Sequence, residues 1–455
     1  SAAAAAVAAD TAAGRGAVGR HRRQRLRARN GVVARHFDVH LPLVGDRRQR
    51  CRPLVDVCEL AAAALRHATV AVCTTSGVVA AIATAIVGAT AAATAPAATP
   101  PTHFPGAPDA PFATEPAFLR PEQLPLAPTY RLTAPSGAPL TDRDPGQLAG
   151  KELALQFHKC MLKTSVMDNV LYTAQRQGRF AFYMTSTGEE AAVIGAAAAL
   201  DSADEVFAQY REQGLLMWRG FTYSDFTDQC TGNDRGNGKG RQMPVHYLSK
   251  KLHYQTISSP LATQIPHAVG AAYALKGTGR IAVAFFGEGA ASEGDFHTAL
   301  NFAATLECPV LFLCRNNGYA ISTPVGEQYR GDGIVGRGPG YGITSLRVDG
   351  SDFWAVYDAV QRARSEILEK NRPMLLELMC YREGHHSTSD DSSRYRGKDE
   401  IAAYTEAFNP IVRMRRYLEA KGWWDAEQEK RFLQEERNLV LVSSFQLGKI
   451  KNRSI

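Results

Sequence analysis

The chain has 455 residues, of which 45% are hydrophobic and 21% are charged, and its formal net charge is +7. These are ordinary values for a globular protein, and they exclude a chain that is disordered or fibrous throughout. Much of the positive charge lies in the first fifty residues, at Arg15, Arg20, Arg22, Arg23, Arg25, Arg27 and Arg29. An Arg-rich, Ala-rich and acid-poor start is typical of an organelle transit peptide. A basic arm for nucleic acid is the alternative, but aromatic residues for base stacking are nearly absent there, so we expect no nucleic-acid partner.

A second unusual segment precedes the globular part. Residues 68–102 contain no Asp, Glu, Lys or Arg and are rich in Ala and Thr. Their length permits a membrane span, but Ala and Thr transfer weakly into lipid, so a low-complexity linker is favoured and no span is expected. We assign residues 1–102 to a transit peptide and linker, and residues 103–150 to a Pro-rich extended arm. The eight cysteines show no metal-ligand spacing, which indicates reduced thiols in a matrix-like or cytosolic compartment, with Cys308 and Cys314 in the core.

Regular helix and strand patterns begin at residue 151. Residues 151–176 carry apolar side chains at helical spacing before Gly178, and residues 188–200 have the pattern of a largely buried helix. Strand and helix patterns then repeat to about residue 379. They predict an α/β domain over residues 151–439, with a doubly wound, mainly parallel sheet, helices on both faces and a helical C-terminal part.

The most informative stretch is a strand that ends in a glycine-rich turn. Residues 280–286 form a continuous apolar run, typical of a strand buried on both faces, and the small-residue turn 287–294 follows. The helix predicted over residues 295–306 would aim its free N–H groups at a ligand above the turn, and a diphosphate suits that position. Such turns are common, so this one alone does not establish a site.

A second apolar run, residues 309–314, leads into Asn316 and Asn317. If the two runs are neighbouring parallel strands, Glu288 and Asn317 emerge together at the carboxyl edge of the sheet, where α/β proteins bind ligands. A carboxylate, an amide oxygen and a carbonyl are hard ligands that suit Mg²⁺. The paired segments resemble the thiamine diphosphate signature, Gly-Asp-Gly followed by Asn-Asn. Glu288 replaces the Asp, which lengthens the ligand and preserves its charge.

The resemblance extends well beyond this signature, from about residue 104 to residue 438. Segments 176–184, 209–212, 238–246, 258–266, 307–309 and 384–393 are similar to α subunits of branched-chain 2-oxoacid dehydrogenases. The resemblance implies a thiamine-diphosphate-binding fold, decarboxylation of branched-chain 2-oxo acids with acyl transfer to lipoamide, and the mitochondrial matrix as compartment. It also implies a β subunit in an α2β2 heterotetramer, a lipoyl-bearing acyltransferase component, and a regulatory kinase and phosphatase.

Site residues are carried over from the family where the motifs match. The implied Mg²⁺ ligands are Glu288, Asn317 and the carbonyl of Tyr319. The implied diphosphate ligands are Arg211, Arg315 and His386, beside the turn residues Gly287, Gly289 and Ala290. The side chains expected beside cofactor and substrate are Gln209 and Tyr210, which with His386 form the expected catalytic set. The aminopyrimidine contacts are Ser259 and Leu261, and the implied potassium ligands are Ser258, Pro260, Thr263 and Gln264.

Several of these assignments have simpler alternatives. Arg211 beside Glu212 is also the pattern of a surface ion pair. His385 and His386 also fit solvated loop histidines, and the 258–264 segment also fits a polar turn.

Ser387 follows His386 directly, and the resemblance implies that Ser387 is a site of regulatory phosphorylation. A phosphate there would place nearly two negative charges beside the diphosphate, repel it and disorder the loop. A polar loop residue without regulation is the alternative. Gly397 stands where the family has a second phosphoserine, so dual control is not expected.

Two other functions remain open. The first is the α subunit of a pyruvate dehydrogenase, the nearest enzymatic rival. The second is an inactive subunit that binds β without turnover, because residues 440–455 form an atypical tail that no longer resembles the family.

Overall fold

The computed structural model describes residues 104, 106–107 and 109–445. The chain divides into two units, residues 1–112 and 113–455. Within the first unit, the rings of Phe104 and Phe112 meet edge to face with centroids 6.1 Å apart. The basic N-terminal stretch, the 68–102 linker and the last ten residues lie outside the described residues, as do the predictions made for them.

A six-stranded sheet forms the centre of the second unit, and every neighbouring pair in it is parallel. The strand order is β1-β7-β8-β4-β3-β2, and a short antiparallel pair, β5-β6, stands apart from it. The strands are β1 (Thr129–Tyr130), β2 (Glu205–Phe207), β3 (Ala282–Gly287), β4 (Val310–Asn316), β5 (Tyr319–Ala320), β6 (Thr323–Pro324), β7 (Thr344–Asp349) and β8 (Met374–Met379).

Helices cover the sheet and extend the chain beyond it. They are α1 (Gly150–Arg176), α2 (Glu190–Ala199), α3 (Gln213–Trp218), α4 (Tyr223–Cys230), α5 (Gln264–Leu275), α6 (Gly294–Thr305), α7 (Val325–Gln328), α8 (Phe353–Lys370), α9 (Lys398–Phe408), α10 (Pro410–Ala420) and α11 (Ala426–Phe445). Short 3-10 turns lie at Pro121–Gln123, Pro145–Leu148, Lys250–Leu252, Ala290–Ser292, Val335–Arg337, Pro339–Tyr341 and Ser392–Arg394.

Each face of the sheet has its own apolar core, because successive strand side chains point to opposite faces. Val283 and Phe285 of β3 belong to the core that includes α2 and α8. Ala284 and Phe286 of the same strand belong to the core that includes α5 and α6. These four side chains are fully buried. The predicted doubly wound parallel sheet with helices on both faces is confirmed.

The predicted helices and strands agree with the structure to within a few residues, with one difference at the glycine-rich turn. The strand predicted over residues 280–286 extends to Gly287, and a 3-10 turn at Ala290–Ser292 precedes α6, which begins at Gly294. The helix therefore does not follow the turn directly as the sequence suggested. The extra turn lengthens the backbone segment that faces the cavity described below.

The arm assigned to residues 103–150 is not extended throughout. Its Thr129–Tyr130 segment adds an edge strand to the sheet, parallel to β7. Next to it, Asp352 accepts hydrogen bonds from the backbone N–H groups of Leu132 and Thr133 at 2.8 and 2.6 Å. Arg413 of α10 reaches the same segment, bonding the Thr133 hydroxyl at 3.1 Å. This end of the arm is thus part of the domain.

The C-terminal boundary predicted at residue 439 falls within a helix. α11 runs on to Phe445, and Val440 is fully buried. Of the cysteines, the five in the described residues are free thiols, and Cys308 and Cys314 lie in the core as predicted. No helix in the described part of the chain is long and apolar enough to cross a bilayer.

Candidate cofactor site

A cavity of about 670 Å³ opens at the carboxyl ends of β3 and β4. In the sheet Gly287 pairs with Arg315, so the two strands end side by side and their following residues meet. The predicted residues that line the cavity are Gln209, Tyr210, Arg211, Ser259, Leu261, Gly287, Glu288, Gly289, Ala290, Arg315, Asn317, Tyr319 and His386. The structure therefore gathers the whole predicted cofactor set in one place.

Glu288 and Asn317 lie in contact at this edge. The backbone N–H of Asn317 donates to one oxygen of Glu288 at 3.4 Å, and the other oxygen of Glu288 is buried without a hydrogen-bond partner. Burial raises the pKa of the Glu288 carboxyl, and the neighbouring charge of Glu189 raises it further. An unpartnered buried carboxylate is costly, and a bound cation would relieve that cost.

The guanidinium of Arg315 is hydrogen-bonded to two buried carboxylates. Its Nε donates to Glu212 at 2.6 Å, and its Nη1 donates to Glu189. Burial alone would lower the pKa of Arg315, but the charges of Glu212 and Glu189 more than offset it and raise that pKa. The guanidinium is therefore fixed in place and charged beside the cavity, as an anion-binding group should be.

Gly188 sets the backbone that brings Glu189 to this point. Its φ is +93°, and a Cβ there would lie 2.1 Å from the carbonyl oxygen of Tyr381. We expect Gly188→Ala to lower the free energy of unfolding through backbone strain and overpacking, each costing about 1–3 kcal/mol. Gly178→Ala is the matched control, since Gly178 also has positive φ, +74°, but has no atom within 4 Å of the added carbon. Thermal unfolding should show the larger loss for Gly188→Ala, and equal losses would contradict the steric argument.

Arg211 is not a surface ion pair with Glu212. It is 1% exposed, and its guanidinium donates to the Thr185 carbonyl at 2.6 Å and to the His386 carbonyl at 2.6 Å. Glu212 instead accepts from the backbone N–H groups of Gln209 and Arg211, at 3.0 and 3.1 Å. The alternative raised from the sequence is therefore wrong for Arg211.

His386 faces two arginines, which changes the role expected of it. Its Nδ1 is 3.1 Å from Arg211 and 3.3 Å from Arg382, and both guanidinium groups can only donate. Burial and these two charges lower the pKa of His386 to about 3. The ring is neutral with its proton on Nε2, so in the protein alone it offers a hydrogen-bond donor. The two neighbouring cations keep the ring uncharged in the chain alone, and the expected role of His386 toward the diphosphate stays a prediction.

Several other predicted side chains also make defined contacts. Gln209 accepts from the backbone N–H of Gly287 at 2.7 Å, and Ser259 is 2.7 Å from His246 Nε2. The potassium candidates Ser258, Pro260, Thr263 and Gln264 do not line the cavity. Gln264 is 3% exposed and its amide nitrogen donates to the Phe285 carbonyl at 2.9 Å. The Gln264 end of the segment is thus tied to β3, whereas Ser259, Pro260 and Leu261 are exposed, so the potassium assignment stays a prediction.

Ser387 lies in a folded loop next to the cavity and is 7% exposed. Its neighbour Thr388 exchanges hydrogen bonds with Tyr183, at 3.0 Å through the backbone N–H and 3.1 Å through the hydroxyl. Asp390 accepts from the His386 backbone N–H at 2.7 Å and from the Tyr395 hydroxyl at 2.6 Å. The loop is therefore anchored on both sides of Ser387, and His386 is positioned by it.

The sequence missed three groups that shape the site. Arg382 is buried, donates to the Tyr319 and Ile321 carbonyls at 3.3 and 2.8 Å, and lines the cavity. Phe182 and Met184 form an apolar part of its wall. Glu189 lies at the start of the segment predicted as a largely buried helix, and no role was assigned to it. Phe182 and Met184 belong to the 176–184 segment that carries the family resemblance, but only the fold shows that these side chains line or support the cavity.

The comparisons with known proteins agree with this geometry. The sequence profile of the dehydrogenase E1 component family matches residues 158–442. The chain is 54% identical over 340 residues to the human protein named 2-oxoisovalerate dehydrogenase subunit alpha, mitochondrial, covering 74% of this chain and 76% of that one. The protein of the same name from Dictyostelium discoideum is 56% identical over 305 residues, or 66% and 69% of the two chains. Subunit alpha 2 from Arabidopsis thaliana is 51% identical over 328 residues, or 72% and 69%.

This chain belongs to the dehydrogenase E1 component family. Members of the family depend on thiamine diphosphate. The residues that line the cavity described above fit a diphosphate with a bound metal ion. Glu288 has a buried oxygen without a partner, and Gly289 leaves no room for a Cβ, which would lie 2.7 Å from that of Ala320. Within the described residues no group of three His, Cys, Asp or Glu side chains could hold a metal. A cation in this cavity would therefore also be coordinated by amide, carbonyl, phosphate and water oxygens, as Mg²⁺ commonly is.

Proposed function

We propose that the chain is the α subunit of a mitochondrial 2-oxoisovalerate dehydrogenase, the E1 component that decarboxylates branched-chain 2-oxo acids and passes the acyl group to lipoamide. The observation that carries this proposal is the 54% identity over 340 residues to the human protein of that name. The family match over residues 158–442 also spans every predicted site residue. The complete set of cavity residues argues for an active subunit.

Each group of the site has a task toward the cofactor. Bound thiamine diphosphate supplies the carbon nucleophile and the electron sink that the decarboxylation requires. Glu288, Asn317 and the Tyr319 carbonyl would hold Mg²⁺, and Arg211 and Arg315 would bind the diphosphate. His386 would donate a hydrogen bond from Nε2 to the diphosphate or the substrate. Supporting this division, both arginines are buried and held by acceptors that keep them pointed at one place.

Potassium would bind the loop of Ser258, Pro260, Thr263 and Gln264. The amide nitrogen of Gln264 is already committed to Phe285, which leaves its oxygen for a cation. Hydroxyl, carbonyl and amide oxygens are weak, neutral ligands of the kind that an alkali ion accepts. Such an ion would brace the loop that carries Ser259 and Leu261 into the cavity.

The β subunit would close the open side of the cavity. Three apolar side chains on its lining are exposed in the chain alone: Met243 at 50%, Leu261 at 41% and Ile321 at 51%. Exposed apolar groups that rim a site are typical of a surface that a partner covers. An E1 α subunit implies such a partner, and we propose an α2β2 heterotetramer that supplies acyl groups to a lipoyl-bearing acyltransferase and is controlled by a kinase and a phosphatase.

The substrate preference separates this proposal from a pyruvate dehydrogenase. The isopropyl group of 2-oxoisovalerate carries two more carbons than the methyl group of pyruvate, and Phe182 and Met184 offer an apolar wall for them. With each carbon contributing about 10-fold or more, kcat/KM should favour 2-oxoisovalerate by at least about 100-fold. The measurement is CO₂ release by the co-expressed α–β complex with an artificial electron acceptor. A preference for pyruvate would overturn the assignment, and assembly in native mass spectrometry without any turnover would instead identify an inactive subunit.

A further inference from the structure

Glu189 joins three side chains of the site although it does not itself line the cavity. One of its oxygens accepts from Asn317 Nδ2 at 3.0 Å and lies 3.7 Å from Arg211 Nε. Its other oxygen accepts from Arg315 Nη1. The side chain is fully buried, and each of the three groups that face its oxygens is an N–H donor. Glu189 is therefore a carboxylate that only accepts hydrogen bonds.

The contact with Asn317 decides which atom of that amide faces a ligand. A hard cation binds the amide oxygen and never the amide nitrogen. Because a carboxylate cannot donate, Glu189 selects the nitrogen of Asn317 as its partner. The Asn317 oxygen is then directed elsewhere, and it accepts from the backbone N–H of Tyr319 at 3.2 Å with a second lone pair to spare. One carboxylate thus fixes the orientation that a metal ligand needs.

We propose that Glu189 is a positioning residue that orients Asn317 toward Mg²⁺ and Arg315 toward the diphosphate while touching neither ligand. This inference rests on the proposed function, because it presupposes a metal-bridged diphosphate between Glu288 and Asn317. It assigns to the turn before α2 a part in cofactor binding that no motif suggested. Residues that orient metal ligands typically contribute about 10–100-fold to metal affinity.

Glu212 provides a matched comparison within the same site. It is equally buried and holds the same guanidinium, at Arg315 Nε, but it makes no contact with Asn317. Glu189→Gln and Glu212→Gln therefore each remove one acidic partner of Arg315. Only the first also disturbs the Asn317 amide and the Arg211 pair. Glu212→Gln instead disturbs the backbone N–H groups of Gln209 and Arg211, so a larger loss of Mg²⁺ affinity in Glu189→Gln reports on the Asn317 and Arg211 contacts.

The decisive experiment reverses the hydrogen bond between the two side chains. Glu189→Gln removes the acceptor-only group, and Asn317→Asp sets two carboxylates against each other. In the double variant the new amide can donate to the new carboxylate, which still presents a hard oxygen to a cation. The readout is a calorimetric titration of Mg²⁺ into the assembled α–β complex at fixed thiamine diphosphate, with assembly checked by native mass spectrometry.

We expect each single substitution to weaken Mg²⁺ binding by about 10–100-fold and the double variant to recover most of that loss, a strongly non-additive result. Additive losses, or a loss in Glu189→Gln no larger than in Glu212→Gln, would overturn the inference. Recovery in the double variant would support it even if Glu189→Gln alone did not assemble. Glu288→Gln is measured in parallel. If Mg²⁺ affinity is unchanged in both Glu288→Gln and Glu189→Gln, the proposed metal site itself fails. If Mg²⁺ affinity falls in Glu288→Gln but is unchanged in Glu189→Gln, only the inference about Glu189 is refuted.

Discussion

Glu288→Gln should reduce the affinity of the α–β complex for Mg²⁺–thiamine diphosphate by at least about 100-fold, beyond the effect of residues that only support a ligand. The substitution keeps the size of the side chain and removes its charge, at an oxygen that is buried and lacks any protein partner. Turnover should be lost with it. Calorimetric titration of thiamine diphosphate in the presence of Mg²⁺ measures the change.

Lowering the pH should also weaken the binding of Mg²⁺ to the wild-type complex. Metal binding requires the ionised carboxylate, and burial raises the pKa of Glu288. Mg²⁺ affinity should therefore begin to fall at a higher pH than for an ordinary glutamate. Glu327→Gln, at an exposed position of α7, is the control and should leave the affinity for Mg²⁺ unchanged. Unaltered cofactor affinity after removal of both Glu288 and Asn317 would refute the site.

The substitution Ser387→Glu should have the second large effect: we expect it to lower kcat/KM by at least about 100-fold. Ser387 is nearly buried between two anchored segments, so a carboxylate there is either desolvated without a partner or forces the loop to open. A buried unpaired charge costs about 3–5 kcal/mol, and opening the loop would displace His386 from the cavity. A phosphate, with nearly twice the charge, should act more strongly. The measurement is decarboxylation by the assembled complex.

Two variants control for this result. Ser387→Ala should remain active, because the hydroxyl accepts only one local hydrogen bond, from the Ser389 backbone N–H at 3.2 Å. Ser393→Glu adds the same charge at an exposed position of the same loop and should have little effect. Full activity of Ser387→Glu would remove Ser387 from consideration as a regulatory site.

The strands and helices near the site were predictable because their patterns are strong and local. The apolar runs that became β3 and β4 are continuous, and parallel pairing then places Glu288 and Asn317 at one edge without further information. The parallel pairing of β3 and β4 follows from the helix that connects them, and it places the carboxyl ends of both strands at the same edge. The contact between Glu288 and Asn317 is therefore largely a consequence of two short segments.

The side chains that contact the Glu288–Asn317 region from other segments could not be predicted in the same way. Glu189 meets Arg315 across 126 residues and Asn317 across 128 residues, and Arg382 meets Tyr319 across 63 residues. A single sequence carries no spacing rule for such pairs, since they depend on how the turn before α2 and the loop after β8 come to the same edge. The neutral state of His386 is also a tertiary effect, because the two cations that lower its pKa come from different segments.

The docking of β1 and its neighbours has a consequence for the order in which the chain can fold. Thr133 is held by Arg413, 280 residues further on, and β1 pairs with β7 across more than 200 residues. During synthesis from the N-terminus, β1 emerges long before β7 and α10, so it can pair with β7 only after about 200 further residues have been made, and Thr133 meets Arg413 later still. Until then the backbone N–H and C=O groups of residues 129–133 have no partner in the sheet and are open to pairing with other chains.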